Sequence, residues 1–468
     1  MSRTTIDTSV LPVSLIEVCQ HLAHTNATAW LVGGCVRDLL LGITPNDFDL
    51  EVFNLPVESL QKALKKMGRV ELVGKQFGVF KLWLGELEID VALPRTEQKK
   101  TQGHRGFLIN SDPHLSPEAA TSRRDFTINA MMLNPLTGQL LDFHNGEKDL
   151  NNKQLRHVSH AFSEDPLRPL RAMQFAARFG FSLHHEAAAL CRDLIGEAVT
   201  LPKERVWAEW QKWSRSPYPS YGLQLLMDSG WITLYPELQA LVDCPQDPHW
   251  HPEGNVWIHI LQCCDQAAAI ASRNELQPSL RQRLVFAALS HDFGKPVATT
   301  IGHHGRIISP GHSEAGVKPA DAFLSSIGAP ASLFDYIKPL VLEHITHLHG
   351  EPSDRAVRRL AHRLEPANIE LWEMLVEADA SGRAPALPSR PALEWLNKAT
   401  LLQHHQNQPR PILTGKLLLA LGVAPGPSMG HLLKSAYEAQ LDGYIFDELS
   451  AISWYKAQYP SALVNHLK

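Results

Sequence analysis

Between Leu31 and Leu50 the chain reads LVGGCVRDLLLGITPNDFDL, and two chemistries meet in that short stretch. Asp47 and Asp49 are spaced by one residue. On a strand they project to the same side while Phe48 turns into the core, and two carboxylates on one face make a Mg²⁺ site. Upstream, Gly33 and Gly34 remove the side chains that would hold a phosphate away from the backbone. Amides and the N-terminus of the following helix can then cradle a triphosphate. The two features together support metal-assisted nucleotidyl transfer. Three elements must position them: an apolar strand ending at Val32, a helix opened by the Arg37-Asp38 pair, and a second strand carrying DFDL.

Other residues extend this chemistry. Glu88, Asp90 and Arg95 fall in GELEIDVALPRTEQKK, and Asp90, on a neighbouring strand-like run, is expected to bring a third carboxylate to the metals. Two ions about 3.5 to 4 Å apart need several oxygens to activate a hydroxyl and stabilise a leaving pyrophosphate. In SRRDFTINAMML, Arg124 and Asp125 precede an apolar run, and such a pair can contact a phosphate and a ribose, the carboxylate accepting from sugar hydroxyls. EDPLRPLRAMQFAARFGF predicts a helix with Glu164 and Asp165 in its first turn and Pro166 just inside it. Positions 164, 168, 171, 175 and 178 then share a face. Three arginines and a phenylalanine there exceed what a solvated helix needs.

A second constellation lies downstream: His259, His291 with Asp292, His312, His344 and Asp379. Imidazole and carboxylate suit a borderline divalent metal, and the adjacent His291 and Asp292 can supply ligands from one helix end. Lys295, three residues on, is placed to meet a phosphate.

The 468 residues should divide into two or more domains, since single cores seldom exceed roughly 250 to 300 residues. No apolar run approaches the roughly 18 residues that a membrane span needs, and MSRTTIDTSV lacks the apolar core of a secretory signal. A cytoplasmic location is the expectation. The six cysteines form no zinc spacing and read as reduced, mostly buried thiols. A net charge of −5 argues against a uniformly basic nucleic-acid binder and leaves room for a local basic groove.

Strand-like runs at 29–32, 48–53, 79–84 and 87–93 mix with helical segments over residues 1–145, as in a small α/β head. Beyond them the pattern is helical, with amphipathic segments at 164–180, 186–198 and 203–214. The expected class is α+β: a head (1–145), an all-α neck (146–240), an all-α histidine-rich domain (241–385) and a helical tail (386–468). The polar stretch from Thr96 to Ser122 reads as a long loop.

GGCVRD, NDFDLEVF, RRDFTINAM, NGEKDL, LRHV and EDPLRPLRAMQFAARFGF, in that order, resemble the class II tRNA nucleotidyltransferase and bacterial poly(A) polymerase superfamily over about residues 28 to 240. The resemblance implies a Mg²⁺-dependent enzyme adding C, C and A to tRNA 3′ ends from CTP and ATP. It implies that Asp47 and Asp49 hold Mg²⁺, with Asp90 as a supplementary ligand or base, and that Gly34, Arg37, Arg124 and Arg171 contact the nucleotide. Asp165 and Arg168 would read the base. Cytosine and adenine both offer an amine donor beside a ring-nitrogen acceptor, which a fixed carboxylate and guanidinium complement. Where the family often has arginine this chain has Gln174, which binds without adding charge. Enzymes adding only CC or only A, and poly(A) polymerases, share these motifs.

The order H, HD, H, H, D resembles the HD phosphohydrolase superfamily. It implies a divalent metal of unstated identity held by His259, His291, Asp292, His312, His344 and Asp379, with activity on phosphomonoesters and 2′,3′-cyclic phosphates. A phosphohydrolase with an RNA- or nucleotide-binding head is therefore a reading from a different class. The segment from Ile412 to Tyr455 resembles a nucleotidyltransferase tail in which Lys416 and Lys434 are placed to touch RNA backbone.

Overall fold

A computed structural model describes residues 5–73, 79–99, 107–385 and 389–459. The chain divides once, between Leu234 and Tyr235, into two compact units. The first unit spans the expected head and most of the expected neck, and residues 235–240 of that neck fall in the second unit with the histidine-rich part and the tail.

The first unit is built on β1 (Thr28–Val32), β2 (Phe48–Phe53), β3 (Arg69–Leu72), β4 (Val79–Leu84), β5 (Leu87–Ala92), β6 (Arg95–Lys99), β7 (Phe107–Ser111), β8 (Met132–Leu133) and β9 (Leu140–Leu141). Seven form one mixed sheet in the order β3-β4-β5-β2-β1-β8-β9. β2 lies at its centre, antiparallel to β1 and parallel to β5. Strands paired on both sides bury β-branched and leucine side chains, and Leu31, Leu50, Val52, Ile89 and Val91 are at most 1% exposed. Removing one such leucine side chain should cost about 2 to 5 kcal/mol.

The expected strands are all present, within a residue of their expected ends. The expected loop from Thr96 to Ser122 is instead largely structured. β6 and β7 pair from Arg95↔Ser111 to Lys99↔Phe107, and a short helix follows at Pro117–Thr121 capped by Ser116. Residues 100–106 of that stretch lie outside the described ones. β6 is wholly polar and the apolar run that opens β7 does not alternate, so the pair gives no period-two strand signal.

The helix expected from Glu164 starts later, at Arg168, and runs to Phe179. Glu164 ends a 3₁₀ turn, and Asp165 is extended, with φ −116° and ψ 106°. The cause is Pro166, whose ring disfavours α geometry in the residue before it. Pro169 takes the position inside the first turn. The segment expected at 186–198 is a helix, His185–Asp193, followed by a 3₁₀ turn at Ile195–Thr200, and Lys203–Ser214 is helical as expected.

The second unit is mainly helical, with one short antiparallel pair, Thr300–Ile301 against Ile307–Ile308. Its long helices Val256–Arg273, Pro278–Ser290, Ala331–Glu343 and Ile369–Ser381 pack on one another. The tail adds a small core of its own around Leu418, Ala436, Ile445 and Ala451. All six cysteines are free and buried. Among the described residues no helix is long and apolar enough to cross a membrane.

Candidate active site

β1 delivers Gly33 at its end in the left-handed region, φ +75°. A Cβ there would lie 3.0 Å from an Arg124 nitrogen and 3.5 Å from Asp49 Oδ2, so the turn requires glycine for both conformation and space. Phe48 is buried and Asp49 faces the cleft. In the parallel pairing Asp49 stands opposite Asp90, which brings the third carboxylate beside it. Asp49 retains solvent contact, yet its carboxyl is raised above the ordinary range. Burial is the main cause; Arg124 opposes it, and Asp90, Asp47 and Glu51 reinforce it. A site that crowds carboxylates until one resists ionising suits a cation. Asp90 Oδ1 is buried without a hydrogen-bond partner, with Lys81 Nζ at 3.5 Å. Among the described residues these head carboxylates form no closed three-donor cluster, unlike the groups in the second unit.

The cleft measures about 750 Å³ and is lined by Gly33, Gly34, Arg37, Asp49, Arg124, Asp125, Asn129, Arg171, Gln174, Phe175, Arg178 and the Lys212–Pro217 segment. This volume suits a nucleotide-sized ligand. Seven of the expected site residues therefore meet in one cleft. Several are already engaged by the protein. Arg37 is 3% exposed; it donates to Asp38 Oδ1 at 2.7 and 2.9 Å and to Asn129 Oδ1 at 2.7 Å, and its guanidinium stacks 4.5 Å from the Phe179 ring centroid. It braces the cleft wall. Asp125 accepts from the Phe126 N–H at 2.8 Å, from Asn129 Nδ2 at 3.0 Å, and from Arg171 at 2.6 and 2.9 Å. Burial opposes its charge, yet Arg171 and Asn129 hold its carboxyl below the ordinary range. Its lone pairs are filled, so it positions Arg171, where the sequence suggested bonding to sugar hydroxyls.

Asp47, Asp90, Asp165 and Arg168 fall outside the lining. Asp165 accepts from the Leu167 N–H at 3.0 Å and from Arg205 at 3.1 Å. Arg168 donates to the carbonyls of Ala161 and Arg123, at 2.7 and 2.8 Å. Gln174 is 6% exposed, lines the cleft, and its Nε2 has no hydrogen-bond partner.

In the second unit the six expected ligands converge. His259 Nε2 lies 3.1 Å from Asp379 Oδ1 and 3.7 Å from Asp292 Oδ2; His291 Nε2 is 3.4 Å from Asp292 Oδ2. The other Asp292 oxygen is 3.5 Å from His312 Nε2, which is 3.1 Å from His344 Nε2. His291 Nε2 is buried with no hydrogen-bond partner, as a ligand awaiting a cation would be, while Asp292 Oδ2 is met by Lys295 Nζ. His344 is pushed down to about 3, mainly by burial and then by His291, so it remains neutral and able to ligate. Burial works against the Asp292 charge, but Lys295, 2.7 Å away, and His291 hold its carboxyl well below the ordinary range. Lys295, expected to meet a phosphate, is thus engaged by Asp292 and by Gln246.

Residues 29–156 match the Poly A polymerase head domain family, and residues 180–241 match a family described as the probable RNA and SrmB-binding site of polymerase A. The multifunctional CCA protein of Xanthomonas campestris pv. campestris (strain B100) is 35% identical over 423 residues, 87% of this chain and 96% of that protein. The chain belongs to the multifunctional CCA protein family. Solved structures share the fold of this CCA-family chain. The Bacillus stearothermophilus CCA-adding enzyme in complex with CTP has TM-score 0.63 at 18% identity, covering 97% of this chain and 98% of that one. The Thermotoga maritima CCA-adding enzyme complexed with tRNA has TM-score 0.60 at 20% identity, covering 98% and 100%.

Several residues of the CCA-family site escape a reading of the sequence. Glu51 is 1% exposed, with Arg123 at 3.4 Å and Arg124 at 3.6 Å. Its signal was available, because it continues the Asp47–Asp49 alternation by one more step. Asn129 joins Arg37 to Asp125 from inside an apolar run, where a lone amide is itself a cue. Lys212 to Pro217 carry no motif. Glu253, 2.8 Å from Nδ1 of both His251 and His259, has its carboxyl lowered to about 2; burial opposes this, and His251 and His259 outweigh it.

Proposed function

We propose that the first unit transfers nucleotides from CTP and ATP to the 3′ end of tRNA, completing the C, C, A sequence. The observation that carries this reading is the register Asp49↔Asp90 beneath the Gly33–Gly34 turn, in a cleft walled by Arg124 and Arg171. Asp47 and Asp49 would hold Mg²⁺, which when bound neutralises the triphosphate and lowers the barrier to attack by a 3′-hydroxyl. The bare Gly33 and Gly34 backbone lets a phosphate approach. Arg124 and Arg171, fixed by Glu51 and Asp125 respectively, present positive charge where negative charge gathers. Asp165 and Arg168, held by Arg205 and by backbone groups, offer a fixed acceptor and donor for the edge that cytosine and adenine share. They stand outside the cleft lining, so this assignment needs its own test. Asp165→Asn should relax selection against UTP and GTP by weakening CTP and ATP binding, by about 1 to 3 kcal/mol per lost match, read as a higher KM for CTP with kcat little changed.

Incubating the protein with Mg²⁺, a tRNA lacking its CCA end, and each nucleotide alone or together tests the reading. Stepwise addition of two C and one A is expected. Failure to extend would refute the assignment, while CC alone, A alone or long A tracts on unstructured RNA would assign the rival activities.

A second activity is favoured by the converging buried donors of the histidine–aspartate cluster, among them His291 Nε2, which has no hydrogen-bond partner. A divalent metal bound by the cluster would support hydrolysis of phosphomonoesters or 2′,3′-cyclic phosphates at RNA 3′ ends. His291→Ala with unchanged phosphatase activity would refute it.

A further inference from the structure

The helix Val256–Arg273 carries His259 and, one turn on, Cys263. Residues four apart share a helix face. Cys263 Sγ lies 3.3 Å from His259 Nε2, the nitrogen that also faces Asp379. The sulfur, His259, His291 and Asp379 offer donor atoms that all lie within 4.8 Å of one another, and all four residues are buried. Around a cation with bonds near 2.1 Å to nitrogen and 2.3 Å to sulfur, tetrahedral donors stand about 3.4 to 3.7 Å apart. The observed 3.3 Å, 3.1 Å between His259 and Asp379 and 3.9 Å between His291 and Asp379 bracket that spacing.

Three further features favour a ligand over a packed thiol. His259 Nδ1 is held by Glu253 at 2.8 Å and lies 3.1 Å from the Gly382 carbonyl, which aims Nε2 at the cluster in the manner of a carboxylate-oriented metal histidine. His291 Nε2 is buried with no hydrogen-bond partner. A Cβ on Gly382 would come within 2.5 Å of the sulfur, so the bare glycine leaves the space that Cys263 occupies. The adjacent Cys264 is equally buried and joins no such donor group among the described residues.

We propose that Cys263 is a thiolate ligand of the histidine–aspartate cluster, so that the site takes a thiolate-tolerant divalent cation of the zinc, cobalt or nickel class in preference to Mg²⁺. Binding releases the thiol proton to solvent as the metal–sulfur bond forms. The proposal rests on the cluster binding metal at all, and the experiment separates the two.

Cobalt(II) is titrated into metal-free, full-length protein while visible and near-ultraviolet absorption are recorded. Visible ligand-field bands report cobalt in the cluster, and a near-ultraviolet sulfur-to-cobalt charge-transfer band reports thiolate ligation. Wild type should show both. Cys263→Ser should lose the charge-transfer band and weaken cobalt binding by roughly tenfold or more, whereas Cys264→Ser should keep the band. Ligand-field bands without the charge-transfer band in wild type, or a band that survives in Cys263→Ser, would overturn the proposal while leaving the metal site standing. No cobalt bands of either kind in wild type would overturn both. The wild-type spectrum decides even where a variant fails to fold.

Discussion

At the scale of single residues, the head joins carboxylates that repel one another to arginines that hold them in place. Asp49→Ala should lower nucleotide incorporation by roughly 10²- to 10³-fold, the usual cost of removing one charge-stabilising group. Single-turnover extension of a tRNA lacking CCA reads this directly. The same residue makes a prediction of opposite sign for stability. A carboxyl whose folded pKa is raised disfavours folding when ionised. That penalty is fully present above the folded pKa and is relieved as pH falls below the ordinary carboxylate value of about 4. In metal-free protein near pH 7, Asp49→Asn should therefore melt higher than wild type, and the gap should close on acidification. Equal melting temperatures at neutral pH would contradict the crowding seen around Asp49. Gln174 adds a subtler case. A ligand group that pairs with its partnerless Nε2 gains about 1 kcal/mol, so Gln174→Ala should raise KM for CTP roughly fivefold and leave kcat nearly unchanged.

At the scale of elements, Arg37 ties together the helix Gly34–Leu40, the Asn129 turn and the aromatic face of Arg168–Phe179. Arg37→Met keeps most of the bulk but leaves Asp38 and Asn129 short of donors. It should cost about 3 to 5 kcal/mol, measured as a lower urea midpoint at unchanged slope. Legibility in the sequence tracked this division of labour. Residues whose place is fixed by one element are readable: Asp49 beside the buried Phe48 on β2, and Arg171, Phe175 and Arg178 by helix period, whereas Asp47 precedes the strand and lies outside the cleft lining. Residues defined by what they meet from elsewhere are not. Glu253, Asn129 and Glu51 matter through partners that no local period announces. Arg37 and Asp125 line the cleft, but the sequence does not show that protein groups take their hydrogen bonds. The sequence places Pro166 inside the helix, whereas its steric demand on Asp165 sets the helix start at Arg168. β6 is wholly polar, and the Phe107–Ile109 run of β7 has no period of two, so neither strand announces the pairing.

At the scale of the whole molecule, each unit has its own core and its own cluster of chemistry. Chelation should therefore act twice. Stripping metal and restoring Mg²⁺ alone should recover nucleotide incorporation without restoring phosphatase activity, and adding a zinc-class ion should restore the latter. Recovery of both with Mg²⁺ alone would mean that the two sites share one metal preference.

The Asp49↔Asp90 register carries a consequence for how the head can vary in length. β4 and β5 are joined by a two-residue turn, Gly85-Glu86, with Leu84 paired to Leu87. Side chains alternate faces with every residue, so one amino acid inserted between that turn and Asp90 points the carboxylate to the opposite side of the sheet and drives Ile89 out of the core. Two inserted residues restore the facing and displace it by one repeat. The hairpin should thus tolerate even insertions far better than odd ones, and a series of such insertions scored for CTP incorporation would show a zigzag where a passive surface hairpin would show a smooth decline.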